Sequence, residues 1–183
     1  MPRSGGWDPA TRLARLKVTP WKGRAWRTHR RKYAGTDHGG SLLVSGRYNR
    51  GSDQFADDET WPALYLALQP ETAIGEIVRH IAPDSIGRLK DLRLSEIDVR
   101  LEAVIDCRDA VALGLTADDL IQDYDFHLAQ ELAAGVIARG AEGIIVRSAT
   151  DLGDNLIVFP HCLRSRSNLK VVGSRDPKLY VKR

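Results

Sequence analysis

Arg47, Tyr65, Glu76 and Ser148 are the residues of this chain whose types and settings suggest chemistry. Arg47 and Arg50 stand in GGSLLVSGRYNRGSDQF, from Gly39 to Phe55, a stretch with glycine at four positions. Glycine lets a backbone approach another group closely, and arginine offers a flat fork of donors suited to phosphate or carboxylate. With the Tyr48-Asn49 pair between them, they suggest an anion site. The plain alternative is a surface loop with solvated arginines. Glu76 falls in QPETAIGEIVRHIAP, about 200° around the helix from Ile74 at about 100° per residue. It therefore faces away from the apolar stripe and reads, taken alone, as an exposed glutamate paired with His80. Tyr65 in ALYLA is by itself a core aromatic of a strand. Ser148, just after GIIV, is by itself a turn serine.

Other chemistries lack their residues. GxSxG, HExxH and the phosphate loop GxxxxGK followed by Ser or Thr are absent from the sequence. The five histidines are scattered without metal-ligand spacing, so no metal is expected, and His127 reads as a helix-surface residue. Cys107 and Cys162 form no CxxC pair, which points away from a zinc ribbon or a disulfide framework and toward a reducing compartment.

The elements that must position these side chains predict an α+β fold, with mixed β-sheets and flanking helices. RAWRTHRRKY gives a strand from Ala25 to Arg30, and PALYLAL a buried one. The next segment is a helix opened by Pro70 and Glu71, with Ile74, Ile77, Val78 and Ile81 as its apolar stripe and Pro83 beyond its end. LKDLRLSEIDVRL and AVIDC read as two strands, and RDAVALG as a short helix ending at Gly114. DYDFHLAQELAAGVIARG is the clearest helix, since Leu128, Leu132 and Val136 recur every four residues and Gly140 signals its end. The strands GIIV, NLIVF and LKVV follow.

A chain of 183 residues with neither repeat nor linker is expected to form one domain over 1–183. No apolar run approaches the ~20 residues of a membrane span, and the start lacks the apolar core of a secretory signal. Charge is segregated: residues 1–50 carry 12 Lys and Arg against 2 Asp and Glu, 51–160 carry 8 against 21, and 161–183 carry 7 against 1. Such basic ends suit a nucleic acid, an anionic small ligand, or pairing with the acidic middle.

The order and wording WRTH, GGSLLVSGRYN, ALYLALQPETAIGE and GIIVRSATDLGDNLIVFP resemble the RES-domain family, named for an arginine, a glutamate and a serine. The resemblance covers about residues 25–160. One departure is Ser45 before Gly46-Arg47, where the family usually has a second glycine. The resemblance implies an ADP-ribosyltransferase-like fold and the toxin of a bacterial toxin–antitoxin pair. Such a toxin acts in the cytoplasm on NAD as substrate, by hydrolysis or with phosphate as co-substrate, needs no cofactor, and is neutralised by a helix-turn-helix antitoxin. It carries over Arg27, Glu76 and Ser148 as catalytic residues, and Arg47, Tyr48, Asn49 and Tyr65 as substrate-binding ones. Cleaving the nicotinamide–ribose bond builds positive charge on the sugar, which Glu76 could stabilise; the arginines would hold phosphates and Tyr65 would face nicotinamide.

ADP-ribosyl transfer to a protein or nucleotide acceptor would use the same pocket. A nucleic-acid-binding module built on RTHRRK is disfavoured by the acidic middle and the lack of a DNA-binding motif. Homo-oligomer formation is left open by the sequence.

Overall fold

The computed structural model describes residues 7–80, 90–150 and 152–177. Its frame is a pair of long antiparallel strands, β1 (Val18–Arg30) and β3 (Leu92–Asp106), in register from Val18 opposite Ile105 to Arg30 opposite Leu92. The other edge of β3 holds β6 (Asn168–Arg175) antiparallel and, at its end, β4 (Gly143–Arg147) parallel. Antiparallel pairing continues from β4 to β5 (Asp154–Val158) and from β5 to β2 (Leu64–Ala67). β2 returns to β1 through one pair, Trp26 opposite Ala67. Five strands thus close into a ring, and β6 lies outside it on β3.

Alternation along the strands splits the apolar side chains into two cores. One draws on all five ring strands, with Ala25, Leu66, Val99, Ile145 and Leu156 fully or nearly fully buried. The other lies across the sheet, where Ile144, Val146, Ile157 and Phe159 meet Leu13 of α1 (Pro9–Leu13) and Leu132 and Val136 of α5 (His127–Ala138). Burying each such side chain is worth about 1.5–3 kcal/mol, so the sheet is clamped from both faces. α3 (Pro70–His80) packs Ala73 and Ile74 against Ala67 and Leu94 beside the point of ring closure. The short helices α2 (Gly40–Leu43) and α4 (Ala117–Ile121) sit in the connections.

The architecture is α+β as expected, with four local corrections. LKDLRLSEIDVRL and AVIDC form one strand, because β1 pairs with β3 along its length and no glycine or proline interrupts it. β1 starts at Val18 rather than Ala25; Pro20, which cannot donate to the ladder, falls at the register shift between Thr19 and Trp21. RDAVALG is a turn rather than a helix: the amides of Leu113 and Leu115 both bond Ala110 O, and Gly114 takes φ +73°. Val78 is 47% exposed, since α3 buries Thr72 and Ala73 instead of a stripe through Val78. Ile81 and Pro83, assigned to that helix and its end, lie outside the described residues.

The basic ends do pair with the acidic middle. Arg24 reaches Glu96 and Asp98, Arg47 reaches Asp123, Arg50 reaches Glu131, and Arg166 from the C-terminal segment reaches Glu102. No helix among the described residues is long and apolar enough to cross a membrane.

Candidate active site

The outer faces of β2 and β5 floor a cavity of about 390 Å³ beneath α3. Period-two alternation sends Leu64, Leu66, Leu156 and Val158 into the ring, which leaves Tyr65, Ala67, Asn155 and Ile157 for the cavity. Trp26, Arg27 and Thr28 of β1, Glu76 and Ile77 of α3, the Gly46–Tyr48 turn, and Asp123 and Phe126 complete its walls.

Glu76 is half-buried, not exposed, and this corrects the orientation expected from Ile74. The small side chains of Thr72 and Ala73, four and three residues earlier, let α3 sit close on β1, where Thr28 Oγ1 donates to Ala73 O at 2.9 Å. That turns Glu76 inward. Its Oε1 accepts from Ser148 Oγ at 2.6 Å and from Asn155 Nδ2 at 2.8 Å. Oε2 takes no hydrogen bond among the described residues. The side chain of His80, the expected partner, is outside what the structure describes.

Ser148 is 2% exposed and reaches the cavity through Glu76 rather than lining it. Its amide donates to Gly153 O at 3.0 Å and its hydroxyl oxygen accepts from Thr150 N at 3.1 Å. On its other side it borders an open cleft of about 980 Å³ with Cys107, Arg108 and Arg147. Ser148 donates its hydroxyl proton to the Glu76 carboxylate and so helps to fix its orientation.

Arg27 donates through Nη1 to Gly35 O at 3.0 Å and to Asp37 O. Burial lowers its pKa, against the pull of Asp37. Arg47 donates through Nη2 to Ile121 O at 3.0 Å, Gln122 O at 3.2 Å and Asp123 Oδ1 at 2.8 Å, and lies over the Phe126 ring at 5.8 Å. Arg50, by contrast, faces away from the cavity: it pairs with Glu131 and stacks between Phe55 and Trp61.

Tyr65 ties the arginine-bearing turn to the sheet. Its hydroxyl accepts from Tyr48 N at 2.9 Å and donates to Asn49 Oδ1 at 2.8 Å. Burial raises the pKa of both Tyr65 and Tyr48, so both are neutral phenols at physiological pH. Asn49 is 1% exposed, outside the lining, and donates to Val44 O at 2.9 Å. Gln130 of α5 caps Gly46 O at 3.0 Å and Asn49 O at 3.2 Å. A Cβ at Gly46 would stand 2.6 Å from Asn49 Oδ1 and 2.9 Å from Tyr65 Oη, so only glycine fits this turn. The turn is a rigid cradle that aims Arg47.

The geometry therefore gathers Arg27, Arg47, Tyr48, Tyr65 and Glu76 on one cavity, puts Ser148 one bond behind it and leaves Asn49 in its scaffold. Sequence reasoning missed Trp26, Asp123, Phe126 and Asn155. Alternation along NLIVF carried the signal for Asn155, because it shares the face of Ile157. Asp123 and Phe126 come from a polar link whose destination no local pattern specifies. No cluster of three His, Cys, Asp or Glu able to hold a metal exists among the described residues.

No curated protein matches the chain. Among solved structures, it is similar to a chain in the crystal structure of the M. tuberculosis MbcT–MbcA toxin–antitoxin complex, with 25% identity, a TM-score of 0.79, and coverage of 96% of this chain and 97% of that one. The model of the RES domain matches residues 24–178, most of the chain's length, and the chain belongs to the RES-domain family.

Proposed function

We propose that this protein is the toxin of a toxin–antitoxin pair and that it degrades NAD by cleaving the bond between nicotinamide and ribose. The observation that carries the reading is Glu76: a carboxylate held on one oxygen by Ser148 and Asn155, in a cavity walled by an aromatic face and two arginines. As the bond breaks, positive charge develops on the ribose. A carboxylate already oriented at that carbon stabilises it without reorganisation, an effect commonly worth several kcal/mol. Tyr65 and Trp26 offer flat surfaces to the leaving nicotinamide, and Arg27 and Arg47 hold the pyrophosphate. Water or inorganic phosphate then takes the sugar carbon, so the chemistry is hydrolysis or phosphorolysis. The closed ring of strands agrees with an ADP-ribosyltransferase-like fold, and the likeness to a chain of a toxin–antitoxin complex supports an antitoxin partner.

The test is to incubate the purified chain with NAD, with and without phosphate, and identify the products. Free nicotinamide with ADP-ribose or its phosphorylated counterpart is expected. Nicotinamide released only when a protein or nucleotide acceptor is supplied would replace this reading with ADP-ribosyl transfer. Intact NAD under every condition would end it.

A further inference from the structure

Asp123 lies in the link between α4 and α5, and its carboxylate sits between two guanidinium groups. Oδ1 accepts from Arg47 Nη2 at 2.8 Å and Oδ2 from Arg79 Nη2 at 2.5 Å. The two arginines come from different walls. Arg47 is aimed by the Gly46 turn, while Arg79 stands three residues beyond Glu76 on α3, and so on the same side of that helix. Arg79 Nη1 is braced by Ala149 O at 2.7 Å, next to Ser148. Arg47 retains a buried Nε with no hydrogen-bond partner in the described structure, so its fork is not fully used.

One carboxylate bridging two arginines presents what a phosphoryl group would present: adjacent anionic oxygens, each matched to a guanidinium. The carboxylate is also the weaker occupant. Asp123 is 45% exposed at its side chain and is followed by Tyr124 at 88%, so the link can leave the arginines without uncovering a core. Solvent reaches both ion pairs from the Asp123 side and screens them, whereas a phosphate brings more charge and more acceptors to the same donors.

We propose that Arg47 and Arg79 form a phosphate subsite at the cavity, and that Asp123 is its built-in competitor, displaced when a phosphate-bearing ligand binds. The assignment of that phosphate to the pyrophosphate of NAD rests on the function proposed above. Arg79 thereby becomes a ligand-binding residue, and the site discriminates against a nucleoside, which carries the scissile bond but nothing to displace Asp123.

Calorimetry on the full chain tests this, comparing wild type with Asp123→Asn, Asp125→Asn and the double variant Asp123→Asn/Arg79→Gln, with thermal melts to verify folding. The probes are ADP-ribose, inorganic pyrophosphate and nicotinamide riboside. Asp123→Asn should bind ADP-ribose and pyrophosphate about tenfold more tightly, the scale of two solvent-screened ion pairs. Its affinity for nicotinamide riboside should not change. Asp125→Asn, which removes the same charge two residues away, should bind all three like wild type, and the double variant should lose the gain. Equal tightening in both single variants, or none in Asp123→Asn, overturns the proposal, as does the absence of binding by any phosphate probe. A gain for pyrophosphate in a protein that leaves NAD intact would uphold the subsite while removing NAD as its ligand.

Discussion

Glu76 shares one oxygen between two donors, and removing a donor is a different act from removing the charge. Glu76→Gln keeps the shape and deletes the charge, so NAD turnover should fall by about 100-fold or more with the melting temperature close to wild type. Asn155→Ala leaves the charge but frees it to rotate. Its kcat should fall about tenfold, the scale of one charge-assisted hydrogen bond, with KM for NAD little changed. A larger change in KM than in kcat would mean that Asn155 touches the ligand directly. These two residues also mark what the sequence could convey about the site. Arg27, Glu76 and Ser148 stand in recognisable wording; Arg27 and Glu76 line one cavity, and Ser148 bonds Glu76 from behind it. Asn155 could be found only by following alternation along its strand, and the inward turn of Glu76 was hidden because Thr72 and Ala73 look too small and too polar to define a buried face.

At the scale of elements, the junction of β3, β4 and the segment before β6 hangs on one carboxylate. Glu142, fully buried, accepts from the amides of Glu102 at 2.5 Å and Ala103 at 2.9 Å through Oε2, and from that of Arg164 at 2.6 Å through Oε1. Burial alone would raise its pKa; the hydrogen bonds from Ser167 and these backbone amides outweigh it and hold the pKa below the ordinary value. A carboxyl depressed in the folded state adds stability that is present above its unfolded pKa, near 4.3, and is lost as pH falls through the folded value. Melting temperature should therefore drop on acidification below about pH 4. Glu142→Gln should lower stability at neutral pH by about 2 kcal/mol and flatten that acid limb, as measured by denaturant titration. An unchanged acid limb would assign the loss to other carboxyls. Local patterns conveyed most elements here: Pro70 opens α3, the four-residue spacing of Leu128, Leu132 and Val136 marks α5, and Gly140 ends it with φ +68°. They failed where partners decide, as in β3, which is continuous because β1 runs beside it, and in the turn at Ala110.

For the whole molecule, Arg24, Arg47, Arg50 and Arg166 pair with acids of the middle segment, which ties part of the charge asymmetry that suits a nucleic acid into the fold itself. The ring of strands has its own asymmetry. β1 and β3 share twelve register pairs, whereas β1 and β2 meet at Trp26 and Ala67 alone, and both of those residues line the cavity. The clasp of the barrel is therefore also the wall of its site, and it is the seam of the ring with the fewest register pairs. In hydrogen exchange, amides bonded across this clasp, between β1 and β2, should exchange through local opening, well before those bonded across the β1–β3 ladder. A ligand that binds only the closed form should slow them by as much as about 100-fold when present at a hundred times its Kd. Exchange there that ignores ADP-ribose would mean the clasp stays shut in the free protein. If it responds, occupancy of the site and integrity of the barrel are one equilibrium, and whatever fills the cavity also fastens the fold.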